Sequence, residues 1–164
     1  PQVAGTILLC QPLVQAVFSP LAGRLSDRYE PRVLASAGMA VTVAGLVGFS
    51  LLKETTPLSH ILVGLFVLGF GYAFFSSPNT NAVMSSVGKR TLGVASATLA
   101  TMRQTGMTLS MGIVMLLFAL HIGRAEITPE QHDLYLVSAK LAFVVFGCLC
   151  FGGVFASLER GDVR

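Results

Sequence analysis

The chain has 164 residues, of which 53% are hydrophobic and only 12% are charged, with a mean hydropathy of +0.73 and a formal net charge of +3. About a quarter of the residues in an ordinary soluble domain are charged. The composition therefore argues against a soluble helical bundle and favours a lipid bilayer as the surroundings. The basic residues are divided among separate short segments, which argues against nucleic acid as a partner.

Five apolar segments are long enough, or nearly so, to cross a membrane as an α-helix, which takes about 20 mostly apolar residues. They predict helices over about residues 3–21, 33–52, 61–77, 92–122 and 134–158. Proline interrupts helices, so we expect the connections between the spans to contain Pro31, Pro57, Pro78 and Pro129. The sequence predicts one all-α domain over residues 1–164, a polytopic bundle with five transmembrane helices.

Several polar residues fall within or next to the predicted spans. Gln11 and Gln15 in the first span are four residues apart and share a helix face. Such side chains either hydrogen-bond a neighbouring helix, at about 0.6 to 2 kcal/mol per bond, or line an aqueous cavity. The same two interpretations apply to Tyr72, Asn79 and Asn81. Glycines in the second and third spans are expected to mark close helix packing.

Arg103 lies inside the fourth predicted span, beside Gln104. An arginine there costs at least about 2.5 kcal/mol unless it faces protein or water. The span is about 46 Å long at 1.5 Å per residue, so Arg103 could reach the headgroups or form a structural salt bridge. The alternative is a position on a substrate path or in a gate. The polar residues around it predict that protein surrounds the first half of this helix, with a lipid-compatible part at residues 113–120.

Orientation follows from the positions of Lys and Arg, which are enriched in cytoplasmic connections. Seven of the eleven lie in residues 23–32, residues 78–91 and the C-terminal tail, and three lie on the opposite side. The C-terminus is therefore expected in the cytoplasm and the N-terminus outside.

Residues 23–32, GRLSDRYEPR, form the most charged connection. They resemble the signature loop of the major facilitator superfamily, with matches at Gly23, Leu25, Ser26, Asp27, Arg28 and Arg32. Glu30 stands where a second glycine is expected, and it adopts a left-handed turn less readily than glycine does.

Two further stretches extend the resemblance, residues 75–81 (FSSPNTN) and residues 93–106, which include MRQTG. They are similar to the last helices of the fourteen-helix drug:proton antiporters of the EmrB/QacA type. The resemblance implies that the five spans are most of the C-terminal six-helix bundle. Because the chain begins at Pro1 and has an odd number of spans, a fragment is expected, with the N-terminal half of the transporter missing.

The resemblance implies part of a secondary active transporter in the bacterial inner membrane, with proton-coupled efflux of drugs or amphipathic compounds by alternating access. A gating role is then expected for Gly23, Arg24, Asp27, Arg28 and Arg32, with Asp27 bonded to a neighbouring helix N-terminus and Arg24 or Arg28 paired across the bundle. The translocation path or helix contacts would involve Gln11, Gln15, Tyr72, Asn79, Asn81, Arg103 and Gln104. Alternatives are a superfamily transporter of a sugar, organic acid or siderophore, and a non-transporting membrane scaffold.

Other classes of function find little support in the sequence. No paired carboxylates, nucleophile with a base or nucleotide-binding loop appears within a span, so neither an enzyme nor ATP coupling is expected. No cofactor or metal site is expected from the three cysteines, Cys10, Cys148 and Cys150. Every Asp and Glu lies in a connection or at a span end, so a proton-carrying group would have to belong to the missing portion, which comprises the first helix of this bundle and the whole other half. The residues do not fix the substrate or the coupling ion.

Overall fold

The computed structural model describes residues 2–53, 55–122 and 132–159, and the ordered elements in these ranges are helices. They are α1 (Gln2–Leu8), α2 (Cys10–Ser26), α3 (Pro31–Ser50), α4 (Leu58–Ser85), α5 (Leu92–Ile122) and α6 (His132–Leu158), with a 3-10 turn at Lys89–Thr91. Five helical segments in these ranges are long and apolar enough to span a membrane, α1 and α2 together supplying the first. The predicted all-α, five-span fold is confirmed. Pro129 lies outside the described residues.

A proline causes the interruption between α1 and α2. Pro12 has no N–H to donate to the carbonyl of Leu8, so the regular pattern breaks there. Backbone bonds continue on both sides, from Leu9 N to the Gly5 carbonyl at 3.2 Å and from Leu13 N to the Leu9 carbonyl at 3.1 Å. The two helices therefore form one nearly continuous span.

Helix α4 corrects the prediction for Pro78. The third helix was predicted to end at residue 77, with Pro78 in the connection, but α4 continues to Ser85 with Pro78 buried inside it. Spanning helices tolerate proline where neighbouring groups satisfy the freed backbone atoms. The carbonyl that Pro78 frees is that of Phe74, four residues before it. The prediction applied a rule for soluble helices to a helix packed among others.

Helices α3 and α4 pack closely, backbone against backbone. A Cβ added at Gly38 would lie 2.5 Å from the Phe75 nitrogen and 2.7 Å from the Gly71 carbonyl oxygen. A Cβ added at Gly71 would lie 2.6 Å from Thr42 Oγ1. The two backbones therefore touch, which confirms the expected close packing at these glycines. Gly48 is different, because its added Cβ would meet nothing within 4 Å.

Helix α5 stands apart from this core. Helix α4 packs on α2 and α3, α3 packs on α6, and α5 lies mainly along α6 with few contacts to α4. Between residues 92 and 109 only Ala95 and Leu99 are half-buried, and the other side chains are exposed. The expectation that protein surrounds this part of α5 is therefore not met by the described residues.

Candidate functional site

A cavity of about 430 Å³ separates the middle of α4 from α5. We call it the Arg103 cavity, and it is lined by Tyr72, Phe75, Ser76 and Asn79 from α4 and by Leu99, Met102, Arg103, Gly106, Met107 and Ser110 from α5. Ligand pockets in proteins typically measure about 300 to 1,000 Å³. The Arg103 cavity is therefore large enough for a small organic molecule.

The helical repeat explains why these residues meet. The four lining residues of α4 are spaced i, i+3, i+4 and i+7, which places them on one face. Tyr72 lies near the middle of α4, and Met107 is the middle residue of α5. The cavity therefore reaches the middle of both candidate spans.

Arg103 supplies the charge of the cavity. Its Nη2 donates a hydrogen bond to the Ser76 hydroxyl oxygen at 3.2 Å, and the side chain is otherwise exposed. No carboxylate in the described ranges forms an ion pair with it; the ion pair found there joins Arg32 to Glu30. The salt-bridge interpretation of Arg103 thus has no partner in this part of the chain, whereas a position beside a cavity agrees with the geometry.

The other predicted path residues divide into three groups. Tyr72 and Asn79 line the Arg103 cavity. Gln104 is exposed and does not line it, and Gln11 and Gln15 are half-buried on α2, also outside the lining. Asn81 has a structural contact instead, because its Nδ2 donates to the Ser26 hydroxyl oxygen at 2.8 Å.

The signature segment, residues 23–32, is more helical than expected. Its first four residues are the last turn of α2, and Pro31 begins α3, so the connection itself is Asp27–Glu30. Glu30 has φ −61° and ψ 123°, an extended conformation open to any residue. The residue before a proline is restricted to this region, so the missing glycine causes no strain. The predicted difficulty at Glu30 is wrong.

The signature segment contacts α4 through its small residues. The Ser26 hydroxyl donates to the Gly23 carbonyl at 2.7 Å while accepting from Asn81. A Cβ at Gly23 would lie 3.2 Å from Ser77 Oγ. These contacts join the end of α2 to the second half of α4.

The contact formed by Gly23 and Ser26 involves uncharged residues of the signature segment. Arg24, Asp27 and Arg28 are exposed, and their side chains have no hydrogen bond or ion pair with the described residues. Arg32 Nε lies 2.7 Å from Glu30 Oε1, with both side chains about a third exposed. Within the described part of the chain, the expected bond from Asp27 to a helix N-terminus and the expected pairing of Arg24 or Arg28 across the bundle are therefore not formed.

Sequence reasoning missed several residues that line the cavity, chiefly Phe75, Ser76, Met102, Met107 and Ser110. Helical spacing from Tyr72 leads to Phe75 and Ser76, and spacing from Arg103 leads to Met107 and Ser110. That signal was present on each helix. Which face of α4 meets which face of α5 could not be predicted from the sequence, since it depends on how the two helices lie beside one another.

Comparison with known proteins identifies the family of this bundle. The sequence model of the Major Facilitator Superfamily matches residues 1–162. The chain belongs to this superfamily. It is an integral membrane protein of the superfamily's helical fold, and no solved structure shows a significant match.

Three relatives within the superfamily illustrate the range of similarity. The riboflavin transporter RibZ of Clostridioides difficile is 27% identical over 94% of this chain and 34% of its own length. The uncharacterized transporter YebQ of Escherichia coli is 31% identical over 88% of this chain and 30% of its length. The multidrug resistance protein Stp of Mycobacterium tuberculosis is 30% identical over 80% of this chain and 26% of its length.

The chain thus spans about a third or less of the relatives it matches. The matched relatives that carry functional names are transporters, in agreement with the prediction that the chain is not an enzyme.

Proposed function

We propose that these helices are part of a secondary active transporter that exports drugs or other amphipathic compounds in exchange for protons, most like the fourteen-helix drug:proton antiporters. The observation that carries this is the Arg103 cavity at the middle of two spans of a major facilitator chain. Transporters of this kind bind solutes near the bilayer midplane. The similarity to Stp supports drugs as the cargo.

The exposed face of α5 supports the proposal that a second half of the transporter packs against it. Arg103 and Gln104 are exposed at positions well inside the candidate span Lys89–His121. Exposure of such groups to lipid would be costly. We propose that an N-terminal half covers this face and closes the cavity. A titratable residue in that half would carry the protons, since the candidate spans found among the described residues contain no Asp or Glu.

We propose a gating role for the signature segment. Its connection to α4 through Ser26 and Asn81 would make it move with the bundle, while the exposed Arg24, Asp27 and Arg28 are available to contact the other half. Rocking of the two halves about the central site gives alternating access. The Lys and Arg distribution supports an orientation with this segment and the C-terminus in the cytoplasm, and the bacterial relatives support a location in the bacterial inner (plasma) membrane.

Export assays with the complete transporter test the function. Cells expressing it would be loaded with fluorescent amphipathic compounds of positive, neutral and negative charge, and efflux would be followed with and without a proton ionophore. We expect export of at least one compound that stops when the proton gradient collapses. Export unaffected by the ionophore would contradict proton coupling. Transport of riboflavin together with no transport of the tested compounds would instead favour the function named for RibZ.

The gating role predicts that Asp27→Asn abolishes most transport while leaving expression and membrane insertion unchanged. Glu159→Gln, which removes an exposed carboxylate at the end of α6, is the matched control and should transport normally. Equal transport rates for Asp27→Asn and the parent would refute the gate.

A further inference from the structure

We infer that the Arg103 cavity binds a planar aromatic solute that carries a carboxylate group. This inference rests on the proposed transport function and narrows its cargo from amphipathic compounds in general to an anionic class. Three features of the cavity carry it: its charge, its free hydrogen-bond donors and its walls.

The charge of the cavity selects an anion. Arg103 brings one positive charge, and the other nine lining residues are uncharged. Charges interact more strongly away from bulk water. A cationic solute would add a second positive charge to the site, whereas a carboxylate would offset the cost of holding Arg103 within the membrane.

The donors of Arg103 suit a carboxylate in particular. A guanidinium has five N–H donors in a planar fork, and the structure shows one bond from this group, to Ser76. The fork matches the two oxygens of a carboxylate in a bidentate pair. The Ser76 hydroxyl fixes one side of the guanidinium, so less ordering is required when the solute arrives.

The walls of the cavity suit an aromatic ring. Tyr72 and Phe75 form one wall, with ring centroids 6.5 Å apart and planes inclined at 54°. Met102 and Met107 lie on the opposite helix, and thioether sulfur makes favourable contacts with aromatic rings. An apolar wall on each side of one cation is the arrangement expected for an amphipathic aromatic anion.

Three naphthalene compounds of nearly equal size test the order of binding. Purified complete transporter in nanodiscs would be dialysed to equilibrium against 2-naphthoate, neutral 2-naphthamide and cationic 2-naphthylmethylammonium. We expect naphthoate to bind about tenfold or more tightly than naphthamide, with the ammonium weakest. Binding of naphthamide or the ammonium as tight as that of naphthoate, or no binding of naphthoate at all, would overturn the inference.

Variants then assign the effect to Arg103. Arg103→Gln should weaken naphthoate binding about tenfold or more and change naphthamide binding less than about threefold, since only the anion uses the fork. Arg90→Gln removes an exposed cation outside the cavity and should change neither. Retained naphthamide binding shows that the variant is folded. If Arg103→Gln does not fold, Arg103→Lys keeps the charge without the fork and should give an intermediate loss for naphthoate alone.

The two proposals fail in different ways. Unchanged naphthoate binding by folded Arg103→Gln or Arg103→Lys would refute the proposed carboxylate site, even if proton-coupled efflux of other compounds is observed. Absence of ionophore-sensitive efflux, together with naphthoate binding that depends on Arg103, would refute the proposed antiport function and support the proposed carboxylate site.

Discussion

Helix α4 makes two contrasting contacts, one with α3 and one with α5. Toward α3 its backbone leaves no room for a Cβ at Gly71, whereas toward α5 it leaves the Arg103 cavity. Phe75 takes part in both, because its backbone nitrogen adjoins Gly38 and its side chain lines the cavity. The close packing of α4 on α3 therefore fixes the position of one wall of the Arg103 cavity. Binding sites are most precise when packed elements hold their residues in place.

The largest predicted effect comes from Gly38→Leu, which would separate α3 from α4. Ordinary overpacking costs about 1 to 3 kcal/mol. Here the added Cβ meets backbone atoms of Gly71 and of residues 74 and 75, which cannot change rotamer. We expect a loss above about 3 kcal/mol, seen as little folded protein by size-exclusion chromatography of the complete transporter in detergent.

Gly48→Leu on the same helix is the control, because an added Cβ there meets nothing within 4 Å. Its yield should match that of the parent. A normal yield for Gly38→Leu would mean that the α3–α4 contact is looser than the structure shows.

The next effect in size comes from Gly106→Leu, which would fill the Arg103 cavity without disturbing a packed contact. An added Cβ at Gly106 meets nothing within 4 Å, so the variant should fold with a melting temperature close to that of the parent. Because Gly106 lines the cavity, we expect transport and naphthoate binding to fall at least about tenfold.

Gly112→Leu is matched to this variant, since Gly112 also lies on α5 in open space but outside the lining. It should bind and transport normally. Equal losses in the two variants would point to α5 packing against another part of the transporter rather than to occupation of the cavity.

Sequence patterns predicted the α3–α4 contact better than the α4–α5 contact. Length and hydropathy indicated the five spans, and Gly38 and Gly71 indicated close packing, because small residues are what lets two membrane helices approach. Pro78 was misassigned because a spanning helix packed among others can continue through a proline, and such packing cannot be read from one segment.

The site was predicted in part, through the residues that are unusual inside a span. Arg103, Tyr72 and Asn79 were identified because charge, phenol and amide groups are costly or uncommon there. Ser76 and Met107 carry no such signal, since serine and methionine are also ordinary packing residues. Their role follows only once α4 and α5 are placed side by side. The same limit applies to Asn81, whose partner Ser26 lies 55 residues away.

The smallest predicted effect concerns the hydrogen bond that links the signature segment to α4. Removing the Ser26 hydroxyl or the Asn81 amide should each cost about 1 kcal/mol, within the 0.6 to 2 kcal/mol known for such bonds in membranes. Because both variants remove the same bond, Ser26→Ala combined with Asn81→Ala should cost less than the sum of the two, which a double-mutant cycle on thermal unfolding measures. Ser86→Ala is the control, since that exposed hydroxyl donates only within its own turn, to the Val83 carbonyl. Additive losses would show that the bond does not couple α2 to α4, and the signature segment would then be free to move without the wall of the Arg103 cavity.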